Sequence, residues 1–143
     1  MEQIAILQPA SALVALTAVV WIRLYVERLG EMRERSIDPQ SISTSTARGA
    51  TLRRTSGADN FRNLLEMPVL FYVLCLALLA AGAVTTGFLL AAWTYVALRA
   101  VHSLIHLTYN RVVHRFLVYA ASSVLLFAMW IAFAFQLADA GSA

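Results

Sequence analysis

The sequence has no lysine. All eleven of its basic side chains other than histidine are arginine. Arginine is a planar, permanently charged fork suited to carboxylates and phosphates, whereas lysine is a point charge. GC-rich coding DNA favours arginine codons and accounts for an overall bias, so only the positions of the arginines carry functional weight. Charge of either sign is scarce. Charged residues are 13% of the 143 residues and hydrophobic ones 60%, where a soluble domain is roughly a quarter charged. A soluble chain of this length buries only ~70% of its surface and has nowhere to hide that much apolar area. A disordered chain is excluded as well, since such chains are poor in apolar residues. Cysteine is almost absent. The lone Cys75 excludes an internal disulfide framework and a multi-cysteine metal site. It lies in an apolar run and reads as a small buried hydrophobe. With no basic cluster on a soluble face, nucleic acid is excluded as a partner. What remains is an integral membrane protein of one domain.

A spanning helix needs about 20 mostly apolar residues, and the sequence supplies four. Apolar runs extend from about Ile4 to Tyr25, Arg62 to Ala81, Phe88 to Leu107 and Phe116 to Leu137. With their ends, the expected helices cover about 4–29, 62–81, 88–108 and 116–137 of a single membrane domain, 1–143. The first segment has no basic residues ahead of it, which argues against a cleaved signal peptide. Its basic residues follow it, in a long polar connection over 30–61 with Pro39, Gly49 and Gly57 as breakers. Ser56-Gly-Ala-Asp59 fits a capping box at the entry to the second helix.

Orientation follows from the same arginines. Eight of them flank or occupy the first connection, and Arg111 and Arg115 flank the third. Basic loops stay cytoplasmic. The first and third connections are therefore expected in the cytoplasm and both termini on the opposite side.

Ionisable residues within a membrane are costly and face a bundle interior or a cavity. On the third helix, Arg99, His102, Ser103 and His106 form one stripe at helical spacing. Arg62, Asn63 and Glu66 share a face of the second helix, and Arg115, Tyr119 and Ser122 one of the fourth. With a 1.5 Å rise per residue, all three stripes open to the cytoplasm and fade before the far side. This describes a one-sided pocket; a channel or transporter needs polar lining across the whole thickness. Several fixed cations and one carboxylate suit a small, mainly anionic ligand that also bears an amine.

Structural readings stand beside this one. Glu66 and Arg62 at i, i+4 form an ordinary helix pair, or Glu66 serves as counter-ion to Arg99. His102 and His106 at i, i+4 suit two ligands of one metal, but no HExxH surrounds them, and no metal site is expected. Tyr119 reads as an interfacial aromatic unless it acts with Arg115. Trp21, Trp93 and Trp130 read as packing or lipid-facing residues.

Arg62-Asn63-x-x-Glu66-x-Pro68 opening the second helix, Arg99-x-x-His102 in the third, and Arg111-x-x-x-Arg115-x-x-x-Tyr119 leading into the fourth resemble the MAPEG superfamily. These are the membrane-associated proteins in eicosanoid and glutathione metabolism. The resemblance covers essentially the whole chain, in the style of the small bacterial members. It implies an all-α, four-helix membrane protomer in a homotrimer of the bacterial inner membrane. Glutathione, as cosubstrate, would bind between neighbouring subunits, and a lipophilic substrate would enter from the lipid. Carried over by position, Arg62, Asn63 and Glu66 would contact glutathione, with Glu66 near its amino group and Arg99 and His102 beside them. Arg33 would reach in from an adjacent subunit. Arg115 would stabilise the thiolate and Tyr119 would hydrogen-bond in the same region, these two being the catalytic pair.

The chain departs from the pattern twice. Phe116 stands where the prostaglandin-synthase branch has a serine, and His106 where the pattern has a tyrosine. The expected function is a glutathione transferase or peroxidase acting on apolar electrophiles. The rivals are a non-catalytic member binding another small anion or a partner, and a small four-helix multidrug transporter using Glu66 as its proton-coupled carboxylate.

Overall fold

The computed structural model of the protein describes residues 3–141. The first and last two residues of the expected domain, and with them the extreme termini, lie outside the described residues. Among the described residues there are helices and turns and no strands. The long helices are α1 (Leu7–Glu34), α3 (Ser56–Leu65) running into α4 (Met67–Ala80), α5 (Thr86–Leu107) and α6 (Val112–Gly141), with a short α2 (Ser45–Thr51) in the first connection. Four segments are long and apolar enough to cross a membrane: Gln3–Glu34, Ser56–Ala80, Thr86–Leu107 and Val112–Gly141. A helix satisfies its backbone hydrogen bonds within itself, as a hydrocarbon environment demands.

The core is apolar and lies between the helices. Leu13 and Val20 of α1, Phe71, Leu74 and Leu78 of α4, Ala92 and Tyr95 of α5, and Leu126, Met129 and Phe133 of α6 are buried together. Phe71 stacks on Tyr95 at 4.6 Å between ring centroids. The outward faces remain apolar: Val19, Leu90, Val124 and Phe135 are all at least 60% exposed, a surface that suits lipid and not water. At one end of the bundle Gly82 turns with a positive φ of 64°. There the Val84 amide donates to Gln3 Oε1 at 2.8 Å, joining α1's entry to the turn. The other end holds the arginines.

Three features differ from the expectation. First, α1 runs on to Glu34, past residue 29. Its last turns are held by the connection they precede. Glu31 accepts from the backbone amides of Arg53 and Arg54, each at 2.8 Å, and pairs with Arg35. Second, the helix expected from 62 begins at Ser56, and the capping box does not form. The cap comes from a distant residue: Glu27 of α1 accepts from the Gly57 amide at 2.8 Å and from the Ser56 hydroxyl at 3.1 Å. A buried carboxylate on a first-turn amide satisfies a donor that the helix itself cannot. Position 57 must be glycine for this approach, since a Cβ there would meet the Leu24 Cα and Glu27 Oε2 at 2.8 Å. Third, the second span breaks at Glu66, whose φ and ψ are −91° and −95°. Pro68 has no amide to continue the ladder and its ring opposes the preceding turn.

Candidate functional site

Asn63 on α3, Arg99 and His102 on α5, and Arg115 and Tyr119 on α6 meet at the arginine-bearing end of the bundle. Asn63, His102, Arg115 and Tyr119, with Val112 and Phe116, line one cleft of about 200 Å³. Arg99 stands behind it, fully buried. One of its terminal nitrogens donates to the Asn63 side-chain oxygen at 2.7 Å and to the Asn63 carbonyl at 3.1 Å. Its carbon centre lies 5.5 Å over the Tyr119 ring. The Nε and the other terminal nitrogen have no hydrogen-bond partner among the described residues. No carboxylate lies within ion-pair distance of Arg99 among the described residues: the pairs there are Arg23–Glu27, Arg35–Glu31 and Arg54–Glu34. Glu66 is therefore not its direct counter-ion. A buried guanidinium with two unused donor nitrogens and no carboxylate within ion-pair distance is an incomplete arrangement, because buried charges are stable when paired and hydrogen-bonded.

The two histidines have separate jobs. His102 Nδ1 lies 3.1 Å from the Arg115 carbonyl. A carbonyl only accepts, so Nδ1 carries the proton and donates. His106 Nε2 lies 3.1 Å from an Arg115 guanidinium nitrogen. That group only donates, so Nε2 is the bare nitrogen and Nδ1 carries the proton. The same Arg115 nitrogen donates to Asn110 Oδ1 at 2.8 Å. Asn110 takes a positive φ of 47° in the turn between α5 and α6, a conformation asparagine tolerates better than most residues. One nitrogen of Arg115 is thus held by two partners, and Arg115 also lines the cleft. The two rings are 5.8 Å apart, and among the described residues no group of three or more His, Cys, Asp or Glu could hold a metal ion.

Helix α3 divides the other expected residues. Arg62 and Glu66 are exposed on its opposite flank, and both line a groove against α1 together with Trp21, Leu24, Tyr25 and Arg28. They make no ion pair with each other, so the ordinary i, i+4 pair is not formed. Arg33 is exposed in the last turn of α1 and lines neither space. Phe116 is 64% exposed at the cleft, presenting an apolar edge where the resemblance has a hydroxyl.

Residues 6–135 match the MAPEG family. The chain belongs to the MAPEG family. The match reaches into all four apolar helices and takes in every residue of the cleft, and it makes this an integral membrane protein of a family of membrane glutathione-related transferases and peroxidases. No curated protein and no solved structure matches the chain significantly. Within this MAPEG chain, sequence reasoning overlooked His106 and Asn110 as the holders of Arg115. It also overlooked Asn60, which accepts from the Ser103 hydroxyl at 3.2 Å beneath the site. The signal for His106 was on the page, since it completes the stripe of Arg99 and His102. Asn110 had none beyond its place in a turn.

Proposed function

We propose that this protein binds glutathione in the α3–α5–α6 cleft and uses it against apolar electrophiles, as a transferase or peroxidase. The observation that carries the reading is Arg99: a fully buried cation with two unused donor nitrogens and, among the described residues, no carboxylate within ion-pair distance. A carboxylate of glutathione would supply the missing acceptor. Asn63 holds the guanidinium in place for it. Arg62 and Glu66 are exposed and unpaired at the neighbouring rim, and their long side chains would take the remaining carboxylate and the amine. Arg33 would come from an adjacent protomer of a homotrimer, closing the cleft.

Arg115 would hold the sulfur. A nearby fixed cation favours the thiolate over the thiol, and the thiol proton leaves to water. The thiolate then donates its electron pair to an electrophilic carbon. A carbon–sulfur bond forms as the leaving group departs with its own electrons, or as a strained ring opens. In peroxidase use the sulfur attacks a hydroperoxide oxygen, the oxygen–oxygen bond breaks, and a second thiol completes the disulfide. Tyr119 borders both arginines and would donate to the sulfur or to the departing oxygen. The apolar co-substrate would arrive through the surrounding lipid, past Val112 and Phe116.

The test is optical. Adding glutathione to the detergent-purified protein is expected to give a thiolate absorbance that Arg115→Ala abolishes, with conjugation of a generic electrophile lost in parallel. No thiolate and no conjugation would sink the enzyme reading. Phe116 favours one second reading, in which glutathione or another small anion is bound without turnover. Heat stabilisation by glutathione in a protein that makes no thiolate would select it. The transporter reading is separated by proton-coupled export that Glu66→Gln abolishes.

A further inference from the structure

A second space lies on the other flank of α3. It begins in a basic mouth between α1, α2 and the start of α3, lined by Arg28, Arg48, Arg54 and Arg62 with Ser45 and Thr55. It continues along α1 past Trp21, Leu24 and Tyr25. It ends in an almost wholly apolar trough of Val14, Ala18, Phe61, Leu65 and Tyr72. Shared walls make these three one groove: Leu24, Arg28, Arg48 and Arg62 join the first part to the second, and Trp21, Phe61 and Leu65 join the second to the third. From Val14 to Arg28, α1 rises ~21 Å. Thr17, in the trough, already donates its hydroxyl to the Leu13 carbonyl, so the trough asks nothing polar of an occupant.

The mouth is short of anions. Arg54 is held by Glu34. Among the described residues Arg28, Arg48 and Arg62 make no ion pair, and the buried Arg48 Nε has no hydrogen-bond partner. Asp59 and Glu66 are the acidic side chains that line this groove. The level of the mouth is marked by aromatics. Trp21 and Tyr25 are exposed, meet edge-on at 4.9 Å, and Arg28 lies 5.7 Å over the Tyr25 ring. Exposed Trp and Tyr on a spanning helix sit at the membrane–water boundary, where lipid headgroups lie. A cationic mouth at that level, leading into an apolar trough along the helix, is complementary to a phosphate-bearing head and its acyl chain.

We propose that the α1–α3 groove is a binding site for an anionic phospholipid, its phosphate on Arg28 and Arg48 and one acyl chain in the trough. Guanidinium forks bind phosphate oxygens bidentately. Arg62 and Glu66, which line this groove and which the proposed function also uses, are left out of its test.

Lipid-stripped protein is titrated with phosphatidylglycerol and with phosphatidylcholine of the same chains, and retained lipid is counted by native mass spectrometry. Phosphatidylglycerol is expected to be retained at one per protomer, and phosphatidylcholine about tenfold more weakly. Arg28→Gln with Arg48→Gln is expected to weaken phosphatidylglycerol about thirtyfold, two surface arginines' worth of lipid attraction. Millimolar inorganic phosphate is expected to displace nothing, because it has no chain for the trough. The double variant is expected to unfold on heating at the natural protein's midpoint, which verifies that it folds. Should that variant fail to fold, Ala18→Trp, which fills the trough from an otherwise apolar wall, is expected to lower retention instead. Equal binding of the two lipids, undiminished binding in both variants, displacement by phosphate, or a groove filled by a neighbouring subunit so that no lipid binds, would each overturn the proposal.

Discussion

The two flanks of α3 use the same kinds of residue under opposite conditions. On the α5–α6 flank, Arg99 is fully buried, its partners are dipoles, and two of its nitrogens stand idle. On the α1 flank, Arg62 and Glu66 are exposed and idle as well. Idleness means different things in the two places. Water or headgroups satisfy an exposed guanidinium at little cost, so its lack of a partner says little. A buried guanidinium without a counter-ion costs several kcal/mol, and such residues in membrane spans mark functional sites. The buried flank therefore carries the functional argument. The exposed flank contributes through shape, as the basic end of a long apolar groove.

That comparison can be broken at several points. The largest effect is expected at Arg115, where alanine removes the fixed cation beside the sulfur. Turnover should fall by about 10²-fold, the usual cost of losing a preorganised charge-stabilising donor. A generic conjugation assay reads it, and turnover equal to the natural protein's would detach the cleft from the chemistry.

Next comes the pair Asn63→Ala and Arg99→Leu. Removing Asn63 strips Arg99 of its side-chain acceptor and should destabilise the protein by ~1–3 kcal/mol. Replacing Arg99 by leucine removes the buried charge and should leave stability unchanged or raised, while abolishing stabilisation by glutathione. Thermal unfolding with and without glutathione reads both. A glutathione shift that persists in Arg99→Leu would refute the role given to the buried cation. Where glutathione is present at a hundred times its Kd, that shift corresponds to ~2.7 kcal/mol in the natural protein.

Gly57→Ala tests how the shared helix is held. The new methyl would press on Leu24 and Glu27 and should cost ~1–3 kcal/mol, loosening both flanks at once. Thermal unfolding without ligand measures it; an unchanged midpoint would mean that the Glu27 cap does not set α3. The smallest effect is expected from Glu66→Gln. Stability should stay within ~0.5 kcal/mol, as for other exposed positions, while glutathione affinity falls. A stability loss matching that of Asn63→Ala would erase the difference between the flanks.

Periodicity made the four spans and the polar stripe of α5 legible, because apolar runs of spanning length and a 3.6-residue repeat are local properties. It placed Arg99, His102 and His106 on one face, where they are. It failed at α3 for a physical reason. Arg62, Asn63 and Glu66 together span about 100° of helix, wide enough to straddle the line between two neighbouring helices. Which side of that line each residue takes depends on where α1 and α5 pack. The capping box at Ser56 failed similarly. A local motif offered Asp59, but Glu27 arrives from 30 residues upstream with a buried carboxylate, and glycine at 57 lets it come close.

The composition and apolar runs alone determined that the chain spans a membrane with four helices. So few charges over so much apolar sequence leave no soluble alternative. They also determined that the polar residues collect toward one end, since ionisable side chains are tolerated only where the stripes reach water or a cavity. The tertiary structure decided which of those residues share a space. Only packing turns Asn63 onto Arg99, brings His106 and Asn110 to the same nitrogen of Arg115, and leaves Arg62 and Glu66 on the far flank with Arg28 and Arg48. The reason is that hydrogen bonding and ion pairing act over a few ångströms, and distances of that kind between helices are fixed by side chains far away in the sequence.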